Sequence, residues 1–305
     1  MPSEFHPIRI LFEDQDRIVS ESRRPMSARP VRVTVFSRPI SEDEAFRRAF
    51  RMDREILANL THAVIPILIE AGESEGQLFF STTLPDGVPL SSLRGSLSLD
   101  DIVDIGWQLC SALQQAHNLG AAHGGIDADV VLLTPDRRVS LLDFGVQRWL
   151  RAGNGNSQTL GLQSEWRSEI SEDLQALAGV LLELLPDHDA DGLSVTRAEA
   201  ALRKVLENAA GNSPSLRPDS AREFQGRLGE LLLGDGDAIP TVVDRKSGSG
   251  SRRSIVEELF DVPHSADERS SKELLPELPQ RSQFLLILLV ILLGILLLVF
   301  AVSLL

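Results

Sequence analysis

The densest group of residues able to do chemistry is an acidic run. Asp187, Asp189, Asp191 and Gly192, in DHDADGLSVTRAE, stand at the spacing that opens an EF-hand calcium loop. The twelfth position of such a loop needs a bidentate glutamate. Here it is Ala198, and Glu199 comes one residue late. The slip misplaces the ligand that closes the coordination shell, so the run reads as an acidic solvent loop. The histidines His62, His117, His123 and His188 share no metal spacing such as HExxH. Cys110 is the one cysteine, which excludes an intrachain disulfide and a cysteine zinc site. Its apolar helical surroundings make it a core thiol. Two further candidates remain, His123 in AAHGG and Asp143 in LLDFG.

The elements that must position them read as one α+β domain over residues from about 7 to 233. The chain has 305 residues and 43% hydrophobic content, enough for a sizeable core. Its net charge of −14 argues against a nucleic-acid partner, which needs a basic face. Ile8 to Phe12, Val31 to Phe36 and Gln77 to Leu84 read as strands. Glu42 to Leu60 reads as a helix with Ser41 as its N-cap, and Phe46, Phe50, Ile56, Leu57 and Leu60 lie on or near one face. After Asp100, apolar residues from Ile102 to Ala116 recur at three- and four-residue steps, and Gly120 ends that helix. Val130 to Leu133 and Val139 to Leu142 read as short strands. Leu174 to Leu185 is apolar almost all round, so it should be a central buried helix. Leu202 to Leu206 and Ala221 to Leu233 complete a helical half.

Three stretches carry a family resemblance. Ala116 to Arg148 reads AHNLGAAHGGIDADVVLLTPDRRVSLLDFGVQR, Asp173 to Leu184 reads DLQALAGVLLEL, and Arg217 to Phe224 reads RPDSAREF. In this order they resemble the bacterial serine/threonine protein kinase-like (Hanks-type) family. An active member reads H-x-x-G-x-x-H-R/G-D-L/I-K-P-x-N-I/V-L-L and then D-F-G, and the match runs without a gap from His117 to Leu133. The resemblance covers roughly Val31 to Leu233. It implies a two-lobed fold, with a small β-rich lobe followed by a larger helical one.

It also implies what the chemistry would require, and most of it is missing. No glycine precedes Gly72, and Glu13, Asp14 and Asp16 occupy the segment where a phosphate-cradling glycine loop should lie. The lysine of the third strand is Thr34. The acid of the following helix aligns with Asp53, with Glu55 nearby, and neither has a lysine to pair with. The base that takes the hydroxyl proton is Gly125, the lysine two positions later is Asp127, and the metal-binding asparagine is Val130. Asp143 is the sole remnant of the metal and catalytic groups. The retained residues are structural by the resemblance. His123 and Phe144 would stack in the core, with Gly145 completing D-F-G. Asp173 would bind the backbone of the catalytic loop. Arg217 would pair with a glutamate near the activation segment, for which Glu165 is the candidate although it lies closer to Asp173 than family spacing places it. His62 matches a structural turn. Gly153-Asn154-Gly155, too short for a dinucleotide fingerprint, reads as a flexible activation-segment loop.

Beyond the body, residues 234–283 are rich in Gly, Ser, Pro and charge, and read as a disordered linker. Within it, SIVEELFDV, Ser254 to Val262, is either a partner-binding peptide or an inert apolar patch. Phe284 to Leu305 contains no charge. As a helix it would be roughly 33 Å long, against a hydrocarbon core of about 30 Å. Arg281 on the near side and the absence of a signal peptide point to a tail-anchored chain whose body, residues 1–233, is cytoplasmic. The expectation is a membrane-tethered pseudokinase that binds other signalling proteins, with no cofactor. The alternative is an atypical active serine/threonine kinase that uses ATP and Mg2+ through a displaced acid and a displaced lysine.

Overall fold

A computed structural model describes residues 5–24, 27, 29–153, 163–186, 196–211 and 213–233. The acidic run Asp187–Gly192, the pair Asn154–Gly155, the linker 234–283 with its Ser254–Val262 patch, and the span 284–305 lie outside the described residues. Among the described residues no helix is long and apolar enough to cross a membrane.

The first half is an antiparallel sheet of five strands in the order β1-β2-β3-β5-β4. Its strands are β1 (His6–Glu13), β2 (Arg17–Arg23), β3 (Pro30–Phe36), β4 (Leu68–Ser74) and β5 (Gln77–Thr83). Sequence patterning passed over β2 and β4. Strand β2 hides two serines, Ser20 and Ser22, whose hydroxyls bond each other at 2.9 Å. A buried polar pair breaks the apolar alternation that marks a strand. Strand β4 is built largely from small and charged residues.

Between β3 and β4 the expected single helix from Glu42 is two: α1 (Arg38–Glu42) and α2 (Glu44–Asn59). Pro39 suits the first turn of α1, where its missing N–H is not needed. The N-cap of α2 is Asp43, whose carboxylate accepts from the backbone N of Phe46 at 2.8 Å. Ser41, expected in that role, is instead buried. Its hydroxyl accepts from Leu78 N at 2.9 Å and donates to Phe36 O, joining α1 to β5.

The second half opens with β6 (Val88–Pro89), which pairs with β7 (Val131–Leu133) and β8 (Val139–Leu141) in a small sheet. Helix α3 (Leu99–Asn118) begins at a capping box between Ser98 and Asp101. It ends where Gly120 turns with φ +84°. Then follow α4 (Val146–Gly153), α5 (Gln163–Leu184), α6 (Arg197–Ala210) and α7 (Ala221–Leu233). Gly153 closes α4 rather than opening a loop, and α5 starts well before Leu174. Helices α3, α5, α6 and α7 share one core around Leu109, Leu113, Leu177, Leu181 and Leu206. Cys110 is buried in it, and burial holds its thiol protonated.

A second core belongs to the sheet, α2 and α4. Phe36 stands at its centre, with ring centroids at 4.8 Å from Phe46, 6.3 Å from Phe50, 6.1 Å from Phe80 and 6.2 Å from Trp149. Such offset aromatic contacts add to area burial. Phe36→Ala should therefore cost about 3–5 kcal/mol in urea unfolding, through the lost ring and the cavity it leaves. A loss below about 1 kcal/mol would mean that the cluster does not carry this half.

Candidate functional site

The candidate site lies between the two halves, where β8 runs into Leu142, Asp143, Phe144 and Gly145. Asp143 has φ +59°, a left-handed conformation uncommon outside glycine. Its carboxylate meets two guanidinium groups. Arg32 Nη1 donates to Oδ1, and Arg17 Nη1 donates to Oδ2 at 3.0 Å. Both arginines are buried, at 6% and 7% exposure. Burial would raise the pKa of Asp143, but the charges of Arg32 and Arg17 outweigh it and hold the carboxyl below its ordinary value.

The sheet explains why two arginines reach one acid. Side chains alternate across a strand, so Arg32 and Thr34 of β3 share a face. Arg17 and Val19 of β2 share it too, since they pair with Phe36 and Thr34. Thr34 is buried, and its hydroxyl lies 3.5 Å from Arg32 Nη1. The cation is present, but it stands two residues before the position where the resemblance places a lysine. The Phe12 ring covers the Arg17 guanidinium at 5.1 Å. At the exposed acidic hairpin tip, Asp14 caps its own turn. Asp14 Oδ1 accepts from the backbone N of Asp16 and Arg17, at 2.8 Å each. Sequence reasoning missed both arginines. The available signal was a charged residue inside VRVTVF, because a charge in a buried strand must be paired.

The backbone of the turn at His123 and Gly124 is fixed by Asp173 of α5, which is buried. Its Oδ2 accepts from His123 N at 2.8 Å and from His117 Nε2 at 2.9 Å, and its Oδ1 accepts from Gly124 N at 2.7 Å. His123 stacks edge-on against Phe144 at 5.1 Å. Burial lowers its pKa and keeps it neutral. Nε2–H donates to Leu142 O at 2.7 Å, and Nδ1 accepts from Gly125 N at 3.2 Å. Arg217 donates to Gly211 O at 2.7 Å and to Ser171 Oγ at 3.3 Å. The side chain of Glu165 lies outside the described residues. His62 has a structural place, accepting from Val64 N and lying 3.2 Å from Ser111 Oγ.

Asp53, read as an acid without a lysine, is fully bonded from α4. Arg148 Nε donates to Oδ2 at 3.2 Å and its Nη2 to Oδ1, while Trp149 Nε1 donates to Oδ2 at 2.6 Å. Arg148 also reaches Glu169 of α5 at 3.0 Å, so it bridges the sheet half and the helical half. Burial pushes Glu169 up despite that partner, and Asp53 and Glu169 together outweigh burial in holding Arg148 charged. Glu55 is exposed.

The residues of this cleft do not fit an ATP–Mg2+ pair. Both oxygens of Asp143 are engaged by arginine. The Val130 side chain offers no lone pair and packs against the apolar core. Asp127 caps its own turn, accepting from Asp129 N at 2.8 Å and Val130 N at 3.0 Å. Gly125 has no side chain, and Gln147 of α4 lies against it. Among the described residues, no three of His, Cys, Asp and Glu are grouped to hold a metal.

No family model matches the sequence. Its curated relatives include the serine/threonine-protein kinase PknE of Mycobacterium tuberculosis (strain ATCC 25177 / H37Ra). That match is 29% identical over 196 residues, 59% of this chain and 35% of the relative. PknH of M. tuberculosis (strain CDC 1551 / Oshkosh) is 26% identical over 294 residues, 90% of this chain and 46% of the relative. The chain thus spans about a third to a half of the length of these relatives. A crystal structure of a single-substitution form of the M. tuberculosis PknI kinase domain superposes with a TM-score of 0.59 at 25% identity. It covers 76% of this chain and 96% of that one. Sheet order, helical half, the turn held by Asp173 and these likenesses agree: the chain has a protein-kinase-like fold and is similar to bacterial Hanks-type serine/threonine protein kinases.

Proposed function

We propose that the domain works without phosphoryl transfer, as a pseudokinase that binds other signalling proteins. In this reading residues 284–305 anchor it to a lipid bilayer and the body faces the cytoplasm. The observation that carries the reading is the state of Asp143. It is the sole acid of the metal and catalytic set that the sequence retains, and both its oxygens are held by buried arginines. Phosphoryl transfer depends on positioned cations and a base around the phosphates. Here the cations neutralise the acid that would hold the metal, and Gly125 offers no base.

A second reading has one observation in its favour: the curated relatives are named serine/threonine-protein kinases. An atypical active kinase would need Arg32 or Arg17 to leave Asp143 and take the role of the lysine absent at Thr34. ATP and Mg2+ would be its cofactors.

Nucleotide affinity separates the two readings. Ligand that binds only the folded state stabilises it by RT ln(1 + [L]/Kd). Millimolar ATP with Mg2+ should leave the melting temperature of the full-length chain unchanged. A saturable upward shift would favour the enzyme.

The role of Asp143 as a counter-ion has its own test. Asp143→Asn leaves two buried guanidiniums without their charge partner and should cost about 3–5 kcal/mol. The carboxyl is depressed in the folded state, so its contribution is fully present above the ordinary carboxylate range. It is lost as pH falls through the folded value. The gap between wild type and variant should hold steady from pH 8 to 5 and close below roughly pH 4. A variant as stable as wild type at pH 7 would contradict the assignment.

The anchor is tested by deleting residues 284–305 and fractionating cells. The truncated chain should move to the soluble fraction with its helical circular dichroism intact. Persistence on membranes would point to another lipid-binding surface.

A further inference from the structure

The two glycines after His123 govern where α4 can lie. Gly124 turns with φ +75°, and a Cβ there would stand 3.0 Å from Arg148 Cβ. A Cβ on Gly125 would overlap the Cβ and Cγ of Gln147, reaching the Cβ at 2.6 Å. Gly125 is not among the residues of positive φ, so its backbone conformation would accept a side chain. Only the neighbour forbids one. Rotation about χ1 could move the Gln147 Cγ, but its Cβ is fixed to the helix backbone and cannot swing aside as a chain end could. The first turn of α4 therefore rests directly on the Gly124–Gly125 backbone.

That same turn holds α2. Arg148 and Trp149 supply the hydrogen bonds to the buried carboxylate of Asp53, and Arg148 ties it to Glu169 of α5. Trp149 is buried among Phe36, Phe46, Phe50 and Phe80. Gly145, with φ +82°, clears the space for its ring, which a Cβ would meet at 2.9 Å.

We infer that the Gly124–Gly125 turn is the seat of a conformational latch. The missing side chain at position 125 admits α4, and seated α4 holds Asp53 and, through it, α2. A side chain at 125 and a seated α4 exclude each other, so any residue placed there, aspartate included, unseats α4 and frees Asp53. The latch deepens the non-catalytic reading, because the position that lacks the base is the one whose emptiness fixes the halves. Its test reads conformation, so it does not depend on nucleotide or phosphate transfer.

Hydrogen exchange by mass spectrometry on the full-length chain would compare wild type, Gly125→Ala, Gln147→Gly and the double variant. Gly125→Ala should speed exchange about tenfold or more in residues 146–153 and 44–59 together, while α3 and α7 keep wild-type protection. Adding Gln147→Gly removes the overlapping atoms and should return α2 to the protection of Gln147→Gly alone. If Gly125→Ala fails to fold, recovery of the fold by Gln147→Gly supports the latch and failure to recover overturns it. Unchanged exchange, or faster exchange in α4 without α2, also overturns it. ATP–Mg2+ binding by wild type would overturn the non-catalytic reading and leave the latch standing.

Discussion

A carboxylate withdrawn from water must be given its counter-charge, or it destabilises the fold by several kcal/mol. Asp143 is withdrawn in this way, at the joint between the sheet and the helical half. The solution is internal. Arg17 and Arg32, from two adjacent strands, close on its two oxygens. Strand β3 cannot shift along β2 without pulling one guanidinium from its acid, because the register Arg17↔Phe36 and Glu21↔Arg32 places both on one face. The pairing thus orients the sheet over the turn at Asp143. It also consumes the groups that a phosphate or a metal ion would need.

The same rule operates at the other joint. Asp53 is buried on α2, and its partners come from α4. Arg148 answers Asp53 and Glu169 at once, so one cation serves acids from both halves. Asp173 is satisfied by two backbone N–H groups and a histidine, and this sets the path of the chain past Gly124 and Gly125. Three buried acids each organise a different junction. Each of them has both carboxylate oxygens hydrogen-bonded to donors within the domain.

Much of this was legible in local pattern. Helix α7 and the strands around Val131 and Val139 follow from periodicity over a few residues. The family resemblance followed from spacing around His123, Phe144 and Asp173. What escaped notice had a common cause. Strand β2 buries Ser20 and Ser22, and α1 and α2 divide at Asp43. At β2 a buried hydroxyl pair within the strand, and at the α1–α2 junction the bonds of Ser41 to Phe36 and Leu78, override the local apolar pattern. Helix α4 escaped as well, because its eight residues are too few to be stable alone. It exists through Trp149 and Arg148, whose partners are on α2 and α5.

The sequence by itself determined the absences. Thr34, Gly125, Asp127 and Val130 cannot be made into a lysine, a base, a cation or a metal ligand by any folding. It also determined part of the order, namely β1, β3, β5, α3, β7, β8 and α7, since hydrophobic period and turn residues are local properties. Only the tertiary structure decided what the surviving charges do. Whether Asp143 faces a metal or an arginine depends on residues 126 and 111 positions away in the chain. Whether Asp53 is orphaned depends on a helix 95 positions on. Burial raises the cost of an unpaired charge, so each acid is settled by whichever cation the fold brings within reach, and that distance is a property of packing, not of sequence order.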